Sequence, residues 1–328
     1  MKKNILFLLV LLAVGSFILL GVYLGRRTAA QATDLTNAVC SISTTAVIAS
    51  AQGDVYAPSE IVAEDPDLHY LAYYSVDGEQ IEDPVYDSIP DHLLDEQKDA
   101  SLQNEGWEVF TDLISPEDRQ MVTRYNVFTD GYSNTLAAVD QVKEDPSLWI
   151  LEMDIADLED RDALLFTVVH EYAHLLTLNA SQVEPDADLV NDPFNQDLQK
   201  EKGAACSTYF AGNGCSYPDS YIHAFYQRFW LDIADEWARI DALAYTSEDL
   251  DVYYEALYSF YKTHQDQFVD DYATTHPAED IAESFTYFVF SPKPTGMSIK
   301  EQKIAFFYEY PELIALRERI LQNACSLE

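Results

Sequence analysis

The sequence predicts an α+β domain behind an N-terminal apolar segment, and three observations predict it. Strand-like segments rich in aromatic and β-branched residues cluster before residue 156. Helical periodicity dominates from residue 161 to the C-terminus. Hydrophobic residues make up 48% of the 328-residue chain, enough for a sizeable packed core. Strands first and helices later give a small twisted sheet, one central buried helix and a mostly helical C-terminal part.

Lys2 and Lys3 precede a run from Ile5 to Leu24 without a charged residue. Crossing a bilayer as a helix takes roughly 20 apolar residues, whereas a cleaved export signal has an apolar run of about 7–15. Residues 1–27 are therefore expected to be an uncleaved signal anchor, a transmembrane helix. Cleavage after Ala30-Gln31-Ala32, giving a secreted protein, is the alternative. Residues 28–60 are rich in Ala, Thr and Ser with little periodicity, and read as a stalk. Residues 61–328 then form one domain.

Within that domain, His69 to Val76 reads as a strand entering a tight turn at Asp77-Gly78. An acidic helix is expected from about Asp91 to Leu113. Strands follow at Met121–Phe128, which stops at Asp130-Gly131, and at Leu148–Ile155. The segment Arg161–Leu178 is apolar at Leu164, Leu165, Val168, Val169, Tyr172, Leu175 and Leu176. Those positions wrap most of a helix, so it should be buried, with Asp157 or Asp160 capping its start. Residues 181–220 read as acidic loop. Helices are expected at Tyr221 to about Ala244, Asp249 to about Asp266, Pro277–Phe290 and Ser298–Asn323, the last interrupted by Pro311. Tyr221, Phe225, Phe229 and Trp230 have core spacing, and Asp154 reads as a cap or surface residue.

The formal net charge is −38, from 57 acidic and 19 basic residues. Such a surface repels phosphate backbones, which argues against nucleic acid as a partner, and it concentrates cations. Four cysteines in an exported chain point to two disulfides with three possible pairings. The least strained pairing joins Cys206 to Cys215 across a loop containing Gly212 and Gly214. Cys40 and Cys325 would then tie the ends of the domain together. With no CxxC pair, a thiolate metal site is not expected.

The buried helix contains His170-Glu171-Tyr172-Ala173-His174, an HExxH pattern. Histidines four apart share a helix face, so both imidazoles can reach one ion at about 2.0–2.1 Å. Glu171 is turned about 100° around the axis, away from the ion but within reach of a water beside it, as a general base requires. A third ligand must come from elsewhere. The pattern with Gly at 177 and His at 180 is ruled out by Thr177 and Ala180. The best source is the segment Tyr272-Ala-Thr-Thr-His-Pro-Ala-Glu279-Asp-Ile-Ala-Glu283-Ser-Phe285. Glu279 and Glu283 share a helix face there and repel each other unless a cation lies near. One can bind the ion while the other accepts a ring N–H from a ligating histidine.

HEYAH followed by YATTHPAEDIAESF resembles the zincin metallopeptidases of the gluzincin type. The second segment is closest to the lethal-factor-like pattern Tyr-x-x-[Thr/Ser]-Asn-x-x-Glu-x-x-Ala-Glu. The resemblance implies a zincin-like domain with one zinc ion per chain on His170, His174 and Glu279. It implies Tyr272 as stabiliser of the tetrahedral intermediate and Glu283 as the carboxylate behind a ligand. His276 stands where the family usually has Asn, so it can perturb the site or add a donor. The resemblance further implies that Leu148–Ile155 binds extended substrate by edge pairing. The expected function is zinc-dependent peptide-bond hydrolysis with Glu171 as general base. The expected protein is an extracytoplasmic, membrane-anchored monomer acting on peptide or protein substrates. The alternative is a zinc-binding, non-catalytic extracytoplasmic interaction protein that retains the fold.

Overall fold

The computed structural model describes residues 44–50, 68–131, 135–247 and 249–327. The expected anchor over residues 1–27 lies outside the described residues, as does Cys40. Among the described residues no helix is long and apolar enough to cross a membrane.

The chain folds as α+β around one mixed five-stranded sheet. The strands are β1 (His69–Asp77), β2 (Gln80–Val85), β3 (Val122–Thr129), β4 (Ala137–Val142) and β5 (Asp145–Asp154), ordered β2-β1-β3-β5-β4. β3 and β5 run parallel, and the other neighbours are antiparallel. The β1–β2 turn depends on Gly78, whose φ of 64° suits a residue without Cβ.

Strand β5 differs from the sequence expectation in one respect that matters. It is interior, hydrogen-bonded to β3 on one side and β4 on the other, so its backbone has no free edge to offer a substrate. The outer strand on that side is β4. It escaped sequence reading because Ala137-Ala-Val-Asp-Gln-Val142 is short and only weakly alternating. β2 escaped for a related reason: Gln-Ile-Glu-Asp-Pro-Val is polar, exposed and interrupted by Pro84, as an edge strand tolerates.

One sheet face packs on the helix Ala100–Leu113. Gly106 permits the close approach, since a Cβ there would lie 2.6 Å from Tyr125 Oη and 2.9 Å from Met153 Sδ. The expected helix Asp91–Leu113 is broken at Asp99, whose side chain accepts from Leu102 N and so starts a new helix.

The helix Arg161–Leu178 forms at its expected bounds, capped by Asp160 accepting from Ala163 N at 3.1 Å. Fourteen of its 18 residues are buried. Each fully buried Leu, Val or Phe there contributes about 1.5–3 kcal/mol, which offsets the cost of holding polar groups in the same helix. The helix Pro277–Phe290 also forms at its expected bounds and packs alongside, with Phe166 against Tyr287 and Tyr172 against Phe285. A short helix, Thr44–Ser50, lies against both, with Val47 fully buried. That part of residues 28–60 belongs to the packed core, not to a free stalk.

Other helices are more divided than expected. Tyr221–Ala244 splits after Phe229 into Tyr221–Phe229, Ala234–Asp241 and Leu243–Thr246. The supposed loop 181–220 holds Ala187–Asn191 and Gln196–Ala205, capped by Asp186 and Asn195, because polar caps and acidic first turns read as loop. The expected Asp249–Asp266 forms as Leu250–Thr263, and Pro311 starts the last helix, Pro311–Ala324. Phe225, Phe229 and Trp230 are core residues, as expected. Cys206 and Cys215 are joined in a disulfide. Cys325 is not a free thiol, and Cys40, its expected partner, lies outside the described residues.

Candidate metal centre

The two central helices bring three ligand atoms to one point. His170 Nε2 lies 3.1 Å from His174 Nε2 and 3.1 Å from Glu279 Oε2, and His174 Nε2 lies 3.2 Å from the same oxygen. Four-residue spacing puts both imidazoles on one face of their helix, and the rings meet edge-on with centroids 4.8 Å apart. Pro277 and the His276 cap fix where the opposing helix begins, and so where Glu279 stands. His276 Nδ1 accepts from Ala278 N at 3.1 Å, which satisfies one of the amides left open at a helix start.

The triangle fits a divalent cation better than a proton network. Ligands about 2.0–2.1 Å from a tetrahedral ion stand about 3.3–3.4 Å apart. Three hydrogen bonds cannot share the centre equally, since the pair of imidazoles alone offers at most one good N–H···N contact. All three side chains are largely withdrawn from water: His170 is 2% exposed, His174 4%, and the Glu279 side chain 13%. Among the described residues this is the one group of His, Cys, Asp or Glu with metal-ligand geometry.

Electrostatics point the same way. Burial pulls the His170 imidazole down, but the Glu283 and Glu279 carboxylates outweigh it and hold its pKa well above 6.5. Glu279 is pushed up by burial, yet His174 and His170 hold it well below the usual carboxylate range. Without a metal, the carboxylates hold a proton on the histidine. A metal must displace it, so its apparent affinity is expected to rise with pH, about tenfold per unit until pH passes the raised His170 value. Zinc titrations monitored with a competing chelator between pH 6 and 8 check the slope. A flat profile would contradict the reading.

The other expected residues take these places. Glu283 Oε1 faces His170 Nδ1 at 2.8 Å, on the side of the ring opposite Glu279, and so sets the ring's orientation and tautomer. Glu171 is fully buried, and its charge acts on Tyr272. Tyr272 lies beside the metal group, its ring centroid 5.8 Å from that of His170. Its buried hydroxyl is pushed up by desolvation and by Glu279, Glu171 and Glu283 together, so it stays protonated as a donor. His276 is pulled down to about 4, mainly by burial, and remains neutral at physiological pH.

Asp270 was not singled out in the sequence. It lies behind Glu283, and burial plus the neighbouring Glu283 carboxylate push its own carboxyl well above the usual carboxylate range. Asp270 Oδ1 accepts from Ala273 N at 2.9 Å. The acid therefore backs the carboxylate that backs the histidine. Its signal in the sequence, one acid among 57, carries no spacing that marks it. Replacing Glu283 with alanine is expected to weaken divalent-metal binding by about 10–100-fold without removing any of the three ligand atoms. Metal titration of the purified variant against wild type reads this directly.

Asp154, expected as a cap or surface residue, is a buried cap. It accepts from Asp130 N at 2.8 Å and Ala156 N at 2.7 Å, and fixes the turn that enters the HExxH helix.

Compared with family models, curated proteins and solved structures, the chain matches none.

Proposed function

We propose that this chain is a zinc-dependent metallopeptidase of zincin type. The observation that carries the reading is the triangle of His170 Nε2, His174 Nε2 and Glu279 Oε2, with Glu171 and Tyr272 beside it. The mixed donor set, two borderline imidazoles and one hard carboxylate, suits zinc, and catalytic zinc sites commonly use three protein ligands. When bound, zinc supplies a Lewis acid that makes nearby water more acidic and polarises the scissile carbonyl.

The chain's own residues do the rest. Glu171 takes the proton from the attacking water at a carboxylate oxygen and delivers it to the leaving amine. The Tyr272 hydroxyl donates to the oxyanion of the tetrahedral intermediate. Glu283 keeps the His170 ring turned, and neutral His276 holds the helix start without adding charge. Substrate backbone pairing falls to β4, the outer strand, because β5 is paired on both sides.

The N-terminal apolar run supports an anchored protein whose domain faces an oxidising compartment, and the Cys206–Cys215 bond is consistent with that placement. The test is cleavage of a mixed peptide library by zinc-loaded wild type and by Glu171→Gln, with zinc content measured on both. Cleavage by wild type alone, at equal zinc, supports the reading. Equal behaviour of the two would contradict it.

A further inference from the structure

The segment that carries both Tyr272 and Glu279 is gripped by two indoles. Trp230 is fully buried, and its Nε1 donates to Asp280 Oδ2 at 2.7 Å, one residue beyond the metal ligand. Trp237 Nε1 donates to the Thr274 carbonyl at 3.0 Å, two residues beyond the tyrosine. The two indole rings meet edge-on, with centroids 5.8 Å apart. His276 stands between the two bonds in sequence, and its ring centroid lies 5.5 Å from that of Trp237.

The two grips act on different parts. Asp280 belongs to the helix Pro277–Phe290, which also packs on the HExxH helix through Tyr287 and Phe285. Thr274 closes the turn Tyr272–Thr274, which precedes that helix. Local bonds shape the turn: Ala273 N donates to Asp270 Oδ1 at 2.9 Å, Thr274 N to Asp271 O at 3.1 Å, and Thr275 N to Tyr272 O at 2.9 Å. The Trp237 bond instead ties the turn to a separate element, across 37 residues of sequence. The helix Ala234–Asp241 has no fully buried residue, and Trp237 is half-buried against the core. Its N–H is directional, and so fixes the carbonyl it meets.

We propose that Trp237 is a positioning residue for the reaction: its indole N–H, on the Thr274 carbonyl, sets the turn that presents the Tyr272 hydroxyl to the oxyanion, while Trp230 on Asp280 serves the metal side. The inference rests on the metallopeptidase reading above. An oxyanion donor must stand at about 2.7–3.1 Å, so a small displacement of the turn is costly in rate.

Zinc-loaded wild type, Trp237→Phe, Tyr272→Phe and the double variant are compared on one cleaved peptide, with zinc affinity measured on each. Phenylalanine keeps a ring against Trp230 and His276 and removes the N–H donor. Trp237→Phe should lower kcat about tenfold, with KM and zinc affinity near wild type. In the Tyr272→Phe background it should cost nothing further. An unchanged kcat overturns the proposal. So does an equal cost in both backgrounds, or a loss of zinc affinity that matches the loss of kcat, since a merely structural tryptophan gives those results. A second reading needs no folded variant at this position: in the parent protein the Trp237 indole N–H should be protected from hydrogen exchange, and exchange at the rate of a free indole overturns the proposal.

Failure of the peptidase reading looks different. The fluorine NMR signal of 3-fluorotyrosine at Tyr272, identified by its loss in Tyr272→Phe, should shift or broaden in Trp237→Phe. If wild type cleaves nothing and that signal still moves, the peptidase reading fails and the hold of Trp237 on Tyr272 stands. Cleavage by wild type, with kcat and the signal both unmoved by Trp237→Phe, removes the positioning role alone.

Discussion

Glu171→Gln is expected to lower kcat/KM by about 10²–10⁴-fold while zinc stoichiometry and melting temperature stay near wild type. The side chain is fully buried and its charge acts on Tyr272, while helix geometry turns the carboxylate away from ligating the ion itself. Glutamine keeps the volume and loses the negative charge together with the ability to take a proton. The effect should fall on kcat more than KM, because proton transfer belongs to the transition state. A matched loss of zinc would mean that Glu171 is structural, and steady-state kinetics with metal analysis on the same sample separates the two.

Lys303→Met is expected to cost about 3–5 kcal/mol of stability, the largest single effect away from the metal. Lys303 is fully buried, with Nζ 2.5 Å from Asp280 Oδ2 and 4.0 Å from the Phe268 ring centroid. Asp280 also accepts from Trp230 Nε1 at 2.7 Å, and it follows Glu279 directly in the chain. Methionine fills much of the space but leaves a buried carboxylate with one neutral donor. The pH dependence has a definite sign. Burial already pushes Asp280 up to about 6, so in the fold it holds a proton more tightly than in the unfolded chain. Its ionisation therefore opposes folding as pH rises. Removing Lys303 takes away the charge that holds this carboxyl down, so in the variant it titrates above about 6. The deficit should shrink as pH falls towards about 6, below which the carboxyl is neutral in both proteins. Adding Asp280→Asn should restore part of the loss at pH 7. Urea unfolding of both variants at pH 5 and 7 measures this, and a deficit that grows on acidification would contradict it.

How much of this was legible beforehand varies with the kind of signal. The two helices that build the centre read clearly. Arg161–Leu178 announced itself through an apolar surface around most of its circumference, and Pro277–Phe290 through Pro at its first turn. HExxH spacing singled out two of the three ligand atoms that meet; the carboxylate pair on one face left Glu279 and Glu283 both open as the third, and the resemblance pointed to Glu279. The sheet was half legible, because β1, β3 and β5 carry aromatic and branched residues, while β2 is short and polar and β4 is short and only weakly alternating. Pairing order is a long-range property, so the interior place of β5 could not be read from its own residues. Breaks at Asp99 and after Phe229 were hidden for a similar reason: side-chain capping and tertiary packing override periodicity there. Asp270 and Trp237 share the last difficulty. What sets them apart is their place beside groups distant in sequence, and no local pattern marks either.

The helix Thr44–Ser50 shows the same point from the other side. Its composition reads as linker, yet Val47 reaches the core shared with the HExxH helix. Shortening the chain past this helix is therefore a packing change.

The most direct measurement is X-ray absorption at the zinc edge on protein purified without added metal and then loaded with one equivalent. Two imidazoles and a carboxylate should appear at about 2.0–2.1 Å in wild type, and the histidine signal should vanish in His170→Ala/His174→Ala. A spectrum unchanged by that double substitution, or wild-type protein that retains no zinc after desalting, would contradict the placement of the metal between these helices.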